Sequence, residues 1–137
     1  MKPCLADVNV LLALLVRQHE HHKLALRWFD RLVADEAGLC RFVQLALIRL
    51  LGNRHVMGDD AVPAATAWRL VDELAQDERI AFVREPELLD SVLPTLLNSP
   101  IGYAYLAAFS IAASRRIVTI DRGFRQFKGL DVDLLQR

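Results

Sequence analysis

The sequence predicts an α/β fold built on a mainly parallel sheet, and three observations carry that prediction. Short strand-like stretches alternate with longer stretches of helical periodicity along the 137 residues. The two most apolar strand-like stretches, ahead of Asp7 and ahead of Asp121, read as central strands. Each ends on a carboxylate, and sites in such sheets form beyond the carboxyl ends of strands, at a topological switch point.

Residues 3–6 are short and apolar, consistent with a buried strand, and residues 8–16 read as a helix with Asp7 or Asn9 at its start. After the polar break RQHEHH, residues 21–34 place Leu24, Trp28 and Leu32 at helical spacing. Gly38 is expected to close the turn that follows, and GLCRFV to form a second strand. QLALIRLLGN reads as a short helix ended by Gly52 and Asn53. Residues 59–77 carry the best-marked helix: Asp59 and Asp60 at its start, Pro63 in its first turn, and Ala65, Trp68, Val71, Leu74 and Ala75 near one face. RIAFVRE is strand-like. PELLDSVLPTLL starts a helix that Pro94 bends or ends, and NSPIG is a loop. Residues 103–114 form an almost wholly apolar and therefore buried helix. RIVTI is a β-branched strand, DRGF a turn, and VDLL a last edge strand.

The length suits one domain over residues 1–137, with no linker or internal repeat. Hydrophobic residues make up 53%, which excludes a disordered chain. Lys+Arg and Asp+Glu balance at 17 each, so net charge points to no partner, although a local basic patch on a neutral chain still suits nucleic acid. Neither Cys4 nor Cys40 belongs to a C-x-x-C pair; both read as buried thiols of a protein in the reducing cytoplasm. No apolar run approaches the length of a membrane span.

Asp7 and Asp121 are the main chemical pair. Either one alone is explained by capping the helix that follows it. Two carboxylates at the ends of two central strands are less easily dismissed, because they repel each other unless a cation lies between them. A hard divalent ion, Mg²⁺ or Mn²⁺, takes oxygen ligands and suits phosphodiester cleavage. Asn9 then orients Asp7, binds a metal-bound water or contacts substrate. Arg49, in an otherwise apolar helix, either pairs locally or reaches RNA phosphate. Arg115, Arg116, Arg122 and Arg125 surround the Asp121 strand, and of these Arg122 is the candidate for RNA contact. HEHH, residues 19–22, suggests a metal cluster at first sight but lacks further His or Cys at zinc-like spacing, so a structural role is the stronger reading. Trp28 and Trp68 stand at helical spacing with aliphatics and read as core.

Four blocks also carry a family resemblance: LADVNVLLALL at the start, HEHHKLALRWF behind it, QLALIRLLGNRHVMG in the middle, and AYLAAFSIAASRRIVTIDRGF near the end. In this order they resemble PIN domains of the VapC toxin type, over nearly the whole chain. The resemblance implies a three-layer α/β/α sandwich and a Mg²⁺- or Mn²⁺-dependent endoribonuclease. It implies a toxin component that pairs with a cognate antitoxin protein and forms a homodimer. It places the family's first acid on Asp7, the polar residue two places on at Asn9, and a late acid on Asp121. Two further acids common in the family fall near Ala46, where Gln44 is the nearest polar residue, and on Tyr103, which by standing in an acid's place is a candidate for facing the cleft and stacking on a base. Their absence leaves an alternative open: a degenerate PIN fold that binds RNA or an antitoxin without cutting.

Overall fold

The structure, a computed structural model, describes residues 2–136. Its centre is a five-stranded, all-parallel sheet in the order β3-β2-β1-β4-β5. The strands are β1 (Cys4–Ala6), β2 (Ala37–Leu39), β3 (Ile80–Phe82), β4 (Arg116–Thr119) and β5 (Val132–Leu134). Helices α1 (Val8–Leu15) and α2 (His22–Asp30) connect β1 to β2. Helices α3 (Arg41–Leu51), α4 (Arg54–Met57) and α5 (Ala64–Ala75) connect β2 to β3, and α6 (Leu89–Val92) and α7 (Ile101–Ala112) lead to β4.

The chain steps outward from β1 to β2 to β3, then returns to the other side of β1 to lay down β4 and β5. Right-handed crossovers therefore put α1–α5 on one face and α6 and α7 on the other, the sandwich the family resemblance implies. The reversal makes the β1–β4 boundary the switch point. Both strands that end on the acids are central, as expected, and VDLL is the edge strand. Cys4 and Leu5 of β1, Ile117 and Val118 of β4, and Phe109 of α7 are fully excluded from solvent. Burial on both faces explains why these strands read as continuous apolar runs rather than as alternating ones. No helix among the described residues is long and apolar enough to cross a membrane.

Several boundaries differ from expectation. GLCRFV is not one strand: Cys40 sits at the N-cap of α3, and Arg41, Phe42 and Val43 are helical. Val43, Leu47 and Leu51 are buried at a spacing of four, so the helical face starts earlier than the β-prone residues suggest. Gly38 closes no turn but lies inside β2, and a Cβ there would come within 2.9 Å of the Arg115 guanidinium and of Val83; its role is close approach. Asp59 and Asp60 form a separate 3-10 turn, and α5 begins after Pro63. The buried face of α5 is Ala67, Val71 and Leu74, which leaves Trp68 46% exposed rather than in the core. Ile101 and Gly102 belong to α7 rather than to a loop, since Pro100, which needs no backbone donor, stands at the N-cap. Pro94 lies in a 3-10 turn directly after α6, where it ends the helix as predicted.

Candidate active site

The register of β1 on β4 pairs Ala6 with Val118. The next residues, Asp7 and Thr119, are thereby neighbours at the carboxyl ends of the two strands, with the Asp7 N–H on the Val118 carbonyl at 2.9 Å. Asp7 is the N-cap of α1, its Oδ1 accepting the Val8 N–H at 2.7 Å. Its Oδ2 accepts the Thr119 hydroxyl, also at 2.7 Å. Asp121 caps the 3-10 turn Arg122–Gln126 through the Gly123 N–H, at 2.8 Å, and accepts the Tyr103 hydroxyl on its other oxygen. The cap and the site are thus not rival explanations, since each acid does both.

Thr119 joins the two acids. Its hydroxyl donates to Asp7 and accepts the Asp121 N–H at 2.9 Å. Asn9, in the first turn of α1, accepts the Ile120 N–H at 3.3 Å and turns its amide N–H toward Thr119 at 3.5 Å. Asp7, Asn9, Tyr103 and Asp121 line one cleft of about 340 Å³ walled by Phe42, Leu106 and Phe124.

Burial pushes the Asp7 carboxyl above the usual carboxylate range, the bonds from Thr119 and Val8 oppose the rise, and the Asp121 charge adds to it. The native fold therefore binds the Asp7 proton more tightly than the unfolded chain, and ionising Asp7 costs stability above its native pKa. Asp7→Asn is expected to raise the thermal midpoint by a few degrees at neutral pH in chelator, on the order of 1 kcal/mol. The gain should disappear as pH falls below about 4, where both states carry the proton. A melting series over pH checks the sign, and a variant less stable than wild type at pH 7 would contradict it.

The Tyr103 phenol is raised first by its bond to Asp121, then by burial and by both acidic charges, so it serves as a neutral donor. Its ring packs edge-on against Phe124 at 5.0 Å. Space for it depends on Gly123, where a Cβ would lie 2.8 Å from the ring. Gly123→Ala should displace Tyr103 from Asp121 at a cost of about 1–3 kcal/mol. An unchanged tyrosine fluorescence and an unchanged melting midpoint would count against this account.

Four of the residues singled out from sequence thus converge: Asp7, Asn9, Tyr103 and Asp121. Arg49 and Arg122 do not line the cleft: Arg49 is exposed on α3, seven residues past Phe42, and Arg122 is exposed beside His21 and Leu24. No other carboxylate lines the cleft among the described residues; Glu87 and Asp90 point to solvent, and buried Gln44 is bonded to Arg41. The histidines of HEHH act locally: His19 accepts the His21 N–H at 3.0 Å, and His22 lies 2.8 Å from the Ala13 carbonyl. Cys4 and Cys40 are both buried and free, and burial pushes the Cys4 thiol up to about 11. The residue missed from sequence is Thr119. Its signal is a polar residue within the apolar run RIVTI, two places before the acid.

No group of three or more His, Cys, Asp or Glu side chains converges among the described residues. The facing atoms are nevertheless oxygen donors, and the two carboxylates repel each other in the manner that a cation relieves. Mg²⁺ is commonly held by one or two carboxylates with water completing its shell, so the residues present fit a hard divalent ion.

The molecule is thus a doubly wound α/β protein with two acids at the switch point of its parallel sheet. No protein-family model matches the sequence. Ribonuclease VapC41 of Mycobacterium tuberculosis is 34% identical over 144 residues, covering 97% of this chain and 99% of its own. Among solved structures, VapBC2 from Rickettsia felis, bound to a promoter DNA fragment, superposes with a TM-score of 0.70 at 10% identity, covering 96% of this chain and 98% of that one. Mycobacterium tuberculosis VapC20, a sarcin–ricin loop cleaving toxin, gives a TM-score of 0.68 at 14% identity, covering 90% and 93%. At such identities the two structures speak for the fold, and the sequence relative speaks for kinship. The chain belongs to the VapC ribonuclease family of PIN-domain toxins.

Proposed function

We propose that this chain is a Mg²⁺- or Mn²⁺-dependent endoribonuclease, acting as one PIN domain and as the toxin of a toxin–antitoxin pair. The observation that carries the reading is the juxtaposition of Asp7 and Asp121 across β1 and β4, joined by Thr119, in one cleft. Asp7 and Asp121 are the residues that would hold the ion. When bound, a divalent ion supplies charge neutralisation at the phosphodiester and activation of water.

The chain's own groups do the rest. Thr119 fixes the Asp7 carboxylate and the Asp121 backbone in one geometry. Asn9 has its carbonyl oxygen engaged by Ile120 and only a long contact on its amide nitrogen, which leaves that donor for a phosphate or ribose oxygen. Tyr103 steadies Asp121 and offers a ring face to a base. Arg122 and Arg49, both exposed outside the cleft, are the side chains assigned to phosphate contact in this reading.

The partner protein is a cognate antitoxin, as family membership implies. The active form is a homodimer; Leu45 on α3 and Trp68 on α5 leave 54% and 46% of their surface exposed and offer apolar area to a second copy. Sedimentation that shows only monomer would count against it. One observation favours the rival reading, a binding module without catalysis: a phenol, not a third carboxylate, occupies the Asp121 flank. Incubating structured RNA with purified protein in Mn²⁺, beside EDTA and Asp7→Ala controls, separates the two. Metal-dependent cutting lost in the variant supports the enzyme, and binding without cutting supports the module.

A further inference from the structure

The neutral net charge of the chain conceals a concentrated basic surface. Arg17, Lys23 and Arg27 line one hollow at the start of α2, Arg122 lines a second, and the two hollows meet at Leu24. All four cationic side chains are exposed, and none joins an ion pair among the described residues. Among the described residues a single carboxylate, Glu20, lines the same hollows, and it faces His21 at 3.4 Å. Four cations against one carboxylate is far from the balance of 17 against 17 in the whole chain. Lys23 and Arg27 stand one helical turn apart on α2, about 6 Å along its axis. The surface ends at Arg27, which with Leu24 also lines the adjoining hollow, where Asp30 and Asp133 stand with Arg31. At its other end Arg122 directly follows Asp121, so the patch begins beside the cleft.

We propose that this surface is a second contact zone for RNA. Arg17, Lys23, Arg27 and Arg122 hold the phosphate backbone of a strand whose neighbouring segment lies in the Asp7–Asp121 cleft. The inference rests on the ribonuclease reading for its choice of polyanion. RNA is favoured over an acidic protein segment for two reasons. Among the described residues Leu24 is the only apolar side chain lining the Arg17–Arg27 hollow, and Ile120, Leu134 and Leu135 lie in the Arg122 hollow, whereas protein interfaces are built on an apolar centre and nucleic-acid interfaces are polar and positive. The patch also includes Arg122, the residue next to Asp121 in the chain, which brings it near the cleft, and three of its four cations are arginines, whose planar fork matches phosphate.

The test is a binding series with a fluorescein-labelled RNA hairpin over a range of salt, in chelator so that nothing is cut. Wild type is compared with the triple variant Arg17→Gln, Lys23→Gln, Arg27→Gln. Loss of three phosphate contacts should weaken binding at least about tenfold at 0.1 M salt and reduce the salt slope by about 2. A single Lys23→Glu variant should move both quantities the same way by less, and thermal melts should overlay because all three side chains are exposed. In Mn²⁺ the triple variant should retain kcat/KM on an oligonucleotide too short to leave the cleft. Equal affinity and equal slope for wild type and variant would overturn the proposal. So would a variant that keeps RNA binding but loses an antitoxin, which would assign the patch to a protein partner. Failure of wild type to cut RNA would strike the ribonuclease reading alone, since the binding series is read without cleavage.

Discussion

Asp7→Ala is expected to lower metal-dependent RNA cleavage by at least about 10³-fold. Removing one of two carboxylates forfeits several kcal/mol of charge stabilisation, at 1.36 kcal/mol per tenfold in rate. The fold should survive. The variant loses an N-cap worth about 1 kcal/mol, but it also relieves a buried charge that the Asp121 carboxylate opposes. Cleavage in a Mn²⁺ titration and a thermal melt on the same preparation check both halves. Cleavage within about tenfold of wild type, in a variant that melts normally, would remove Asp7 from the chemistry.

Thr119→Val should produce the next largest effect, and it separates geometry from charge because no ionisable group is lost. Thr119 is fully buried, and its hydroxyl serves both acids. Valine keeps the shape and leaves the Asp7 Oδ2 and the Asp121 N–H without their partner, at about 1–3 kcal/mol per unsatisfied buried group. The expected outcome is a destabilisation of about 2–4 kcal/mol and a cleavage rate lower by about 10²-fold. The ion concentration for half-maximal activity should also rise, because the Asp7 carboxylate is no longer held in place. Serine at the same position, which restores the hydroxyl, should recover most of the rate. A valine variant with wild-type metal dependence would show that Thr119 serves the fold alone.

Much of this was legible in the sequence, for physical reasons. Strands buried on both faces must be apolar throughout, so CLA and RIVT announce themselves, and the acid after each marks its carboxyl end. Helix α7 is apolar on every side because both the sheet and α6 pack against that part of the chain. Other features were misread because local propensity and tertiary burial disagree. The β-prone Phe42 and Val43 became helical because Val43, Leu47 and Leu51 face the core together. Trp68 stayed at the surface because Ala67, its neighbour by one position, faces the core instead.

By itself the sequence determined the α/β class, the central place of β1 and β4, the pairing of Asp7 with Asp121 and the family. Each of these follows from patterns within a few adjacent residues or from motifs in order along the chain. Only the tertiary structure decided which neutral groups complete the site. Tyr103 meets Asp121 across 18 residues, and Thr119 meets Asp7 across 112. It likewise decided that Arg17, Lys23, Arg27 and Arg122 share one surface, a fact that net charge cannot express. Contacts between residues so far apart depend on crossover geometry and strand register, which no local pattern encodes.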